Sequence, residues 1–173
     1  MEQYKIAFRG LNDGVYSYNL LIGKAFIDAF EIENIEDSIV NVAIEMVKRE
    51  QMLELQITGK GTITVPCDRC LDLFPLEISF SNTLIVKTDA AKADVIDDNL
   101  IHLTEKDEYL DLLQYLYESL LLSIPIKKVH PEVKKGESGC NKAMLDILKP
   151  NKSKSHKNKD ADPRWDALKN IKF

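Results

Sequence analysis

The sequence predicts an α+β fold in which an antiparallel β meander, or partly closed sheet, packs on one long amphipathic helix. A disordered basic linker and a short C-terminal helix are expected to follow. Segments with alternating apolar and polar residues fill the first half of the chain, and this period of two is typical of half-buried strands. A later segment has the period of a helix, and a lysine-rich stretch comes after it. A chain of 173 residues has the length of one domain with an appendage.

The alternating segments are short and joined by brief turns, so sequential segments are expected to pair as antiparallel strands. They cover residues 4–8, 14–22, 38–48, 53–57, 63–65 and 74–87. Residues 12–14 (NDG) and 59–61 (GKG) predict tight turns between strands. Residues 22–30 predict a short helix, because apolar side chains recur there every four positions.

The long helix is predicted at about residues 107–124. Its apolar residues follow i, i+3, i+4 spacing: Tyr109, Leu112, Leu113, Leu116, Leu120 and Ile124. Asp107 and Glu108 lie at its start, where the helix dipole favours negative charge, and Pro125 ends it. We interpret its apolar face as core, and the acidic residues 89–99 before it as a loop.

The predicted organisation is a body over residues 1–149, a disordered basic linker over 150–161 and a docking helix over 162–173. The linker is polar and lysine-rich, a composition that cannot bury enough apolar surface to fold. Asp162 is a favourable N-cap and Pro163 suits the first helical position, which predicts the terminal helix.

Composition excludes several classes of protein. Apolar residues make up 45% and charged residues 29% of the chain, values of an ordinary globular protein. Three cysteines are too few for a disulfide framework. No run of about 18 apolar residues exists for a membrane-spanning helix, and the N-terminus lacks the pattern of a secretory signal. We therefore expect a cytoplasmic protein with reduced thiols.

The charge of the chain is divided unevenly. Residues 1–126 hold 10 basic and 22 acidic residues, a net charge of −12, whereas residues 127–173 hold 13 basic and 6 acidic residues, a net charge of +7. An acidic body with a basic tail is typical of a tail that binds polyanions, and RNA is the commonest of these in the cytosol. Two other interpretations stay open: the tail only confers solubility, or it neutralises its own body.

A CxxC motif at residues 67–70 is the first candidate site. Cys67 and Cys70 at i, i+3, directly after a predicted strand, suit a knuckle that chelates one metal ion. A zinc site needs two further ligands, for which Cys140 and His130 are the candidates. Two alternatives remain, a redox pair and simple buried thiols, although a redox CxxC usually opens a helix within a βαβ unit.

The tail is the second candidate site, for RNA or a protein partner. Lysines supply phosphate contacts that do not depend on base sequence, and Trp165 with Arg164 could stack on an unpaired base. The alternative is that Trp165 docks back on the body as an apolar anchor. The candidate residues are Lys149, Lys152, Lys154, Lys157, Lys159, Arg164, Trp165 and, on the CxxC knuckle, Arg69.

Catalytic motifs are missing from the sequence. It contains no Gly-rich phosphate loop, no GxSxG nucleophile elbow and no HExxH zinc motif. The sequence therefore gives no support for a known catalytic mechanism, and we predict that the protein is not an enzyme. A zinc-dependent enzyme remains the weakest alternative, kept because of Cys67 and Cys70.

Several elements in this order resemble the YceD-like family, the large ribosomal RNA subunit accumulation proteins of bacteria. The shared elements are the β-rich body, the CDRC motif of residues 67–70, the helix with its Ile124-Pro125 exit and the DPRW motif of residues 162–165. HPE at 130–132 and GCN at 139–141 are similar to members from the Bacteroidetes group. The resemblance extends from about residue 35 to residue 171.

The resemblance implies a cytoplasmic, non-enzymatic role in the accumulation of large-subunit ribosomal RNA, with rRNA or ribosomal proteins of the pre-ribosomal particle as partners. Some relatives carry additional cysteines near the position of Cys140, which suits a zinc site with the CxRC pair; this sequence has Cys140 alone there. An alternative from a different class is an acidic adaptor or holdase, whose body binds basic ribosomal proteins without contacting RNA.

Overall fold

A five-stranded sheet dominates the computed structural model, which describes residues 2–88, 100–103, 107–134 and 137–148. A short 3₁₀ turn at Glu2–Tyr4 precedes the first strand. The helices and strands are β1 (Lys5–Ala7), β2 (Gly14–Gly23), α1 (Lys24–Ala29), β3 (Asp37–Arg49), β4 (Met52–Pro66), β5 (Leu73–Lys87), β6 (Leu100–His102), β7 (Tyr109–Asp111), α2 (Leu113–Leu122), β8 (Glu132–Lys134), β9 (Glu137–Ser138) and α3 (Lys142–Leu148).

The large sheet has the strand order β2-β3-β4-β5-β6. Its first four strands form an antiparallel meander, as the alternating sequence predicted for residues 14–87. The first predicted strand, residues 4–8, does not join this meander, because β1 pairs with the distant β7 instead. β6 departs from the prediction because it pairs with β5 in parallel, which makes the sheet mixed. The twelve positions between Lys87 and Leu100 are long enough for the crossover that a parallel pair requires. Two small antiparallel sheets, β1-β7 and β8-β9, accompany it.

The tight turn predicted at residues 59–61 is wrong, because β4 runs through it without interruption. The two glycines serve close packing instead of a turn. A Cβ atom at Gly59 would overlap the ring of Phe80 on β5, and one at Gly61 would overlap the backbone of Ile39 on β3. Glycine inside a strand often marks such a close approach, and the sequence alone does not distinguish it from a turn.

The long helix predicted at residues 107–124 is also corrected. Residues 109–111 form β7, which pairs with β1, and α2 covers only Leu113–Leu122. The Asp111 carboxylate accepts a hydrogen bond from the Leu113 N–H at 2.9 Å, and this contact favours a helix start there. The shorter helix predicted at residues 22–30 is present as α1.

The core lies on one face of the large sheet. Alternate residues of β3, such as Val40, Val42 and Ile44, are buried there, whereas their neighbours on the opposite face are exposed. α2 contributes Leu116 and Leu120 to the core, and its Ser119 hydroxyl accepts a hydrogen bond from the Asn82 amide of β5 at 3.0 Å. Within the part of the chain that the structure describes, no helix has the length and hydrophobicity to cross a membrane.

Candidate metal centre

The CxxC motif forms a tight knuckle where β4 passes into β5. The Leu71 N–H donates to the Cys67 carbonyl at 2.9 Å, and the Cys67 N–H donates to the Asp72 carbonyl at 3.0 Å. Leu71 adopts a φ of 64°, a left-handed conformation that is uncommon for a residue with a side chain. The knuckle therefore reverses the chain while it turns both thiols inward, where Cys67 and Cys70 are buried.

The segment after α2 is fastened to this knuckle at Asp68. The Asp68 N–H donates to the Lys128 carbonyl at 2.7 Å, and the Lys128 N–H donates to the Asp68 carboxylate at 2.6 Å. The Lys128 ammonium lies 3.6 Å from the same carboxylate. These contacts bring His130, two residues further along, to the thiols. Its ring packs against Phe74 of β5 with centroids 4.6 Å apart.

Gly139 allows the chain to come back close to His130 and the CxxC knuckle. Its N–H donates to the Pro131 carbonyl at 3.1 Å. A Cβ atom there would lie 2.9 Å from that oxygen and 3.3 Å from the His130 Cβ, so this approach requires glycine. Cys140 follows directly and is buried.

Asn141 fixes the next position of the chain through its side chain. It donates its side-chain N–H to the Asp72 carboxylate at 3.2 Å, and its amide oxygen accepts the Ala143 N–H at the start of α3.

The three thiols and the imidazole form one cluster, which we call the metal centre: Cys67, Cys70, His130 and Cys140. Their ligand atoms all lie within 4.8 Å of one another. The Cys67 and Cys140 Sγ atoms are 3.7 Å apart, and the Cys70 Sγ is 3.5 Å from the His130 Nδ1.

These separations fit a tetrahedral zinc ion. With Zn–S bonds of about 2.3 Å and Zn–N bonds of about 2.0 Å, two sulfur ligands lie about 3.8 Å apart, and sulfur and nitrogen about 3.5 Å apart. Three cysteines and one histidine are also a common ligand set of structural zinc sites. The residues present are therefore compatible with one zinc ion, in both chemistry and spacing.

The protein environment shifts the pKa values of Cys67 and Cys70 in opposite directions. Burial raises the pKa of Cys67, but the backbone N–H groups of Cys70, Arg69 and His130 outweigh it and lower that pKa to about 6. Burial also raises the pKa of Cys70, and here the nearby N–H groups of Asn141 and Asp72 do not compensate. In the metal-free protein at neutral pH, Cys67 is therefore the thiolate that is ready to bind a metal.

The remaining interpretations of the cysteines concern redox chemistry and packing. All three are free thiols, and none of them opens a helix, which is the usual place of a redox CxxC. The packing interpretation accounts for burial but does not explain why an imidazole faces the thiols. Sequence reasoning missed the residues around the ligands, Asp68, Phe74 and Gly139. Glycine immediately before a candidate ligand was the one available signal of close approach.

The candidate RNA-binding residues are placed only in part. Arg69 lies on the knuckle with an exposed side chain. The others lie outside the described residues: Lys149, Lys152, Lys154, Lys157, Lys159, Arg164 and Trp165. The predicted linker at 150–161 and docking helix at 162–173 lie outside them as well. These residues therefore remain predictions from the sequence.

Comparison with known proteins identifies the family. No curated protein and no solved structure shows significant similarity to this chain. The family model described as large ribosomal RNA subunit accumulation protein YceD matches residues 55–172, about two thirds of the chain. The match begins within β4 and includes all four residues of the metal centre as well as the basic tail. The chain therefore belongs to the YceD family.

Proposed function

We propose that this protein is a non-enzymatic factor of the cytoplasm that supports the accumulation of large-subunit ribosomal RNA by binding the assembling particle. The observation that carries the proposal is the family match over residues 55–172, which spans the CxxC knuckle and the tail. The division of charge supports it, since residues 127–173, which include the tail, carry a net charge of +7 that suits a polyanion, whereas residues 1–126 carry a net charge of −12 that does not.

The tail supplies the contact with RNA in this proposal. Five lysines between 149 and 159 neutralise phosphates and release counterions when they bind. Five such contacts predict a slope of log affinity against log salt of about −4, so that a fourfold rise in salt weakens binding roughly a few hundredfold. Arg164 and Trp165, beyond these lysines, add stacking on an unpaired base.

Co-sedimentation with large-subunit precursor particles tests this contact. We expect the full chain to bind, and a variant with Lys152, Lys154, Lys157 and Lys159 changed to Gln to lose about 3 units of the salt slope. A variant with Arg at the same four positions keeps the charge and is the matched control. Intact, salt-sensitive binding by the Gln variant would contradict a role of the tail.

An acidic adaptor for basic ribosomal proteins is the second candidate function, favoured by the net charge of −12 over residues 1–126. It predicts that the full chain binds isolated basic ribosomal proteins and has no affinity for rRNA. The Gln and Arg variants of the tail separate the two candidates, because only RNA binding by the tail depends on those four charges.

We further propose that the metal centre binds one Zn²⁺ and that the ion is structural. Four protein ligands fill a tetrahedral shell and leave no open position for a substrate, which distinguishes a structural from a catalytic zinc site. The bound ion would link the turn between β4 and β5 to both sides of the β8-β9 hairpin. Because the tail begins directly after α3, the same ion would fix where the tail leaves the body.

Cobalt substitution tests the zinc site through its spectrum. We expect Co²⁺ added to metal-free protein to give the visible bands of a tetrahedral ion and the ultraviolet bands of thiolate ligation. Zn²⁺ should displace it at one equivalent per chain. A spectrum of hexahydrated Co²⁺ would contradict the proposed site.

A further inference from the structure

The strand β2 forms one edge of the large sheet, and its sequence lacks the features that protect such edges. It is 10 residues long and reads GVYSYNLLIG. It contains no charged residue and no proline, whereas natural edge strands are usually shortened, charged or interrupted to prevent pairing with another chain. At the opposite edge, the 3-residue β6 covers only the end of β5, and the rest of β5 carries a proline and a charge, Pro75 and Glu77.

Two hydrogen bonds show which backbone groups of β2 face outward. The Ile22 carbonyl accepts the Ser38 hydroxyl of the neighbouring β3 at 3.0 Å and so points into the sheet. The Leu21 carbonyl points the other way and accepts the Tyr4 hydroxyl at 2.8 Å. Because alternate residues of a strand direct their backbone groups to opposite edges, Val15, Ser17 and Asn19 also face outward.

Apart from the Leu21 carbonyl, these outward backbone groups have no partner within the described structure. β2 pairs with β3 alone among the described strands. None of the backbone hydrogen bonds described outside the helices and strands involves Val15, Ser17 or Asn19. The edge therefore presents three consecutive donor and acceptor pairs in the geometry of an antiparallel ladder.

The side chains of β2 match a second copy of themselves in the antiparallel direction. With a two-fold axis at Tyr18, Ser17 faces Asn19 of the other copy, and these two residues supply the backbone bonds between the copies. Val15 faces Leu21, whose carbonyl already accepts the Tyr4 hydroxyl. Val15 and Leu21 lie on the open face of the sheet, 63% and 51% exposed, and would cover each other. On the core face, Tyr16 would lie opposite Leu20. Polar side chains of β2 would therefore face polar side chains of the other copy, and apolar side chains would face apolar ones.

We propose that the protein forms a two-fold symmetric dimer in which β2 pairs with β2 of a second copy and the two sheets become one continuous ten-stranded sheet. Such an interface is isologous, since the same strand serves both sides. Each chain carries a net charge of −5, so the copies repel each other and added salt strengthens the dimer. RNA binding by the tail has the opposite salt dependence, which separates the two interactions.

Sedimentation equilibrium of the full chain over roughly a hundredfold concentration range tests the dimer. We expect the mean mass to rise from one to two chains, and to rise earlier at higher salt. Amide hydrogen exchange gives a second readout on the same protein. The amides of Ser17 and Asn19 should become protected as concentration rises, whereas those of Tyr16 and Tyr18 are protected throughout, because they face β3.

Two variants of Ser17 and one control complete the test. Ser17→Pro removes an outward N–H, a change that an edge strand tolerates, and Ser17→Lys adds like charges across the two-fold axis. Both should stay monomeric at concentrations where the parent chain is dimeric. Ala43→Lys adds the same charge on the open face one strand further in, beside Asn19, and should leave the dimer intact. A parent chain that is monomeric throughout, or dimers of both Ser17 variants, would overturn the proposal.

Discussion

The Sγ atoms of Cys67 and Cys140 lie 3.7 Å apart although 73 positions separate them in the chain. No residue of α3, which starts two residues after Cys140, is buried. Among the described residues after α2, Cys140 is the buried one, whereas Val129, Met144 and Leu145 pack against the core while partly exposed. The cluster of Cys67, Cys70, His130 and Cys140 therefore provides the most deeply buried contact of the segment that leads into the basic tail.

Cys140→Ser tests this contact. We expect the variant to lose zinc and to unfold with a free energy lower by more than about 2 kcal/mol, since loss of a structural metal is among the largest effects of a single substitution. Thermal melting with metal analysis measures both. A chelator should lower the melting temperature of the parent chain and leave that of Cys140→Ser unchanged. An equal effect of the chelator on both would contradict the assignment.

Gly139→Ala tests the close approach that positions His130 and Cys140. The new Cβ would press on the Pro131 carbonyl and on His130, so we expect zinc affinity to fall about 10- to 100-fold, as for other residues that orient metal ligands. Competition with a chromophoric chelator measures the affinity. Gly14→Ala is the control, because a Cβ there meets ordinary contacts at 3.8 Å. Equal affinities of the two variants would exclude a role for Gly139.

The lowered pKa of Cys67 predicts a pH dependence of the metal-free protein. The thiolate absorbance in the ultraviolet should show a transition near pH 6, and Cys67→Ser should abolish it. Because this pKa lies below the ordinary 9.0, the thiolate stabilises the folded state at high pH, and that contribution is lost as pH falls from 9 to 6. Urea midpoints of the parent and Cys67→Ser, compared across this range, should therefore diverge with rising pH. A constant difference would contradict the assignment.

α2 offers a matched pair of leucines for testing the core. Leu116 is fully buried, whereas Leu122 at the end of the same helix is 87% exposed. Leu116→Ala should lower the free energy of unfolding by about 2–5 kcal/mol because it leaves a cavity, and Leu122→Ala should change it by less than about 0.5 kcal/mol. Urea denaturation measures both. Similar losses would mean that α2 is not packed as described.

The sequence predicted those parts of the fold that depend on local pattern. Alternation located β2, β3 and β5, since each side chain of these strands faces either the core or the open face. The sequence pattern gave the wrong element where tertiary contacts determine the secondary structure. β7 has a helical apolar pattern, but its backbone pairs with β1 more than 100 residues earlier, and no local signal carries that information.

In the candidate site, too, some features could be predicted from the sequence and others depend on tertiary contacts. Spacing identified the Cys67–Cys70 pair and residue type suggested Cys140 and His130, and the structure places the atoms of these four candidate ligands together. The contacts that hold them could not be read from the sequence: the Asp68–Lys128 pair links two distant segments, and Gly139 matters because of what lies against it. The tail is the reverse case, since its charge is plain in the sequence while its residues lie outside the described structure.

The ratio of large- to small-subunit rRNA in cells depleted of this protein tests the central claim most directly. The depleted cells would be complemented with the full chain and, in parallel, with a chain cut at Pro150. We predict that depletion lowers the ratio and that only the full chain restores it, because the basic tail carries the contact with the particle. An unchanged ratio would contradict the proposed function, and full rescue by the shortened chain would contradict the role of the tail.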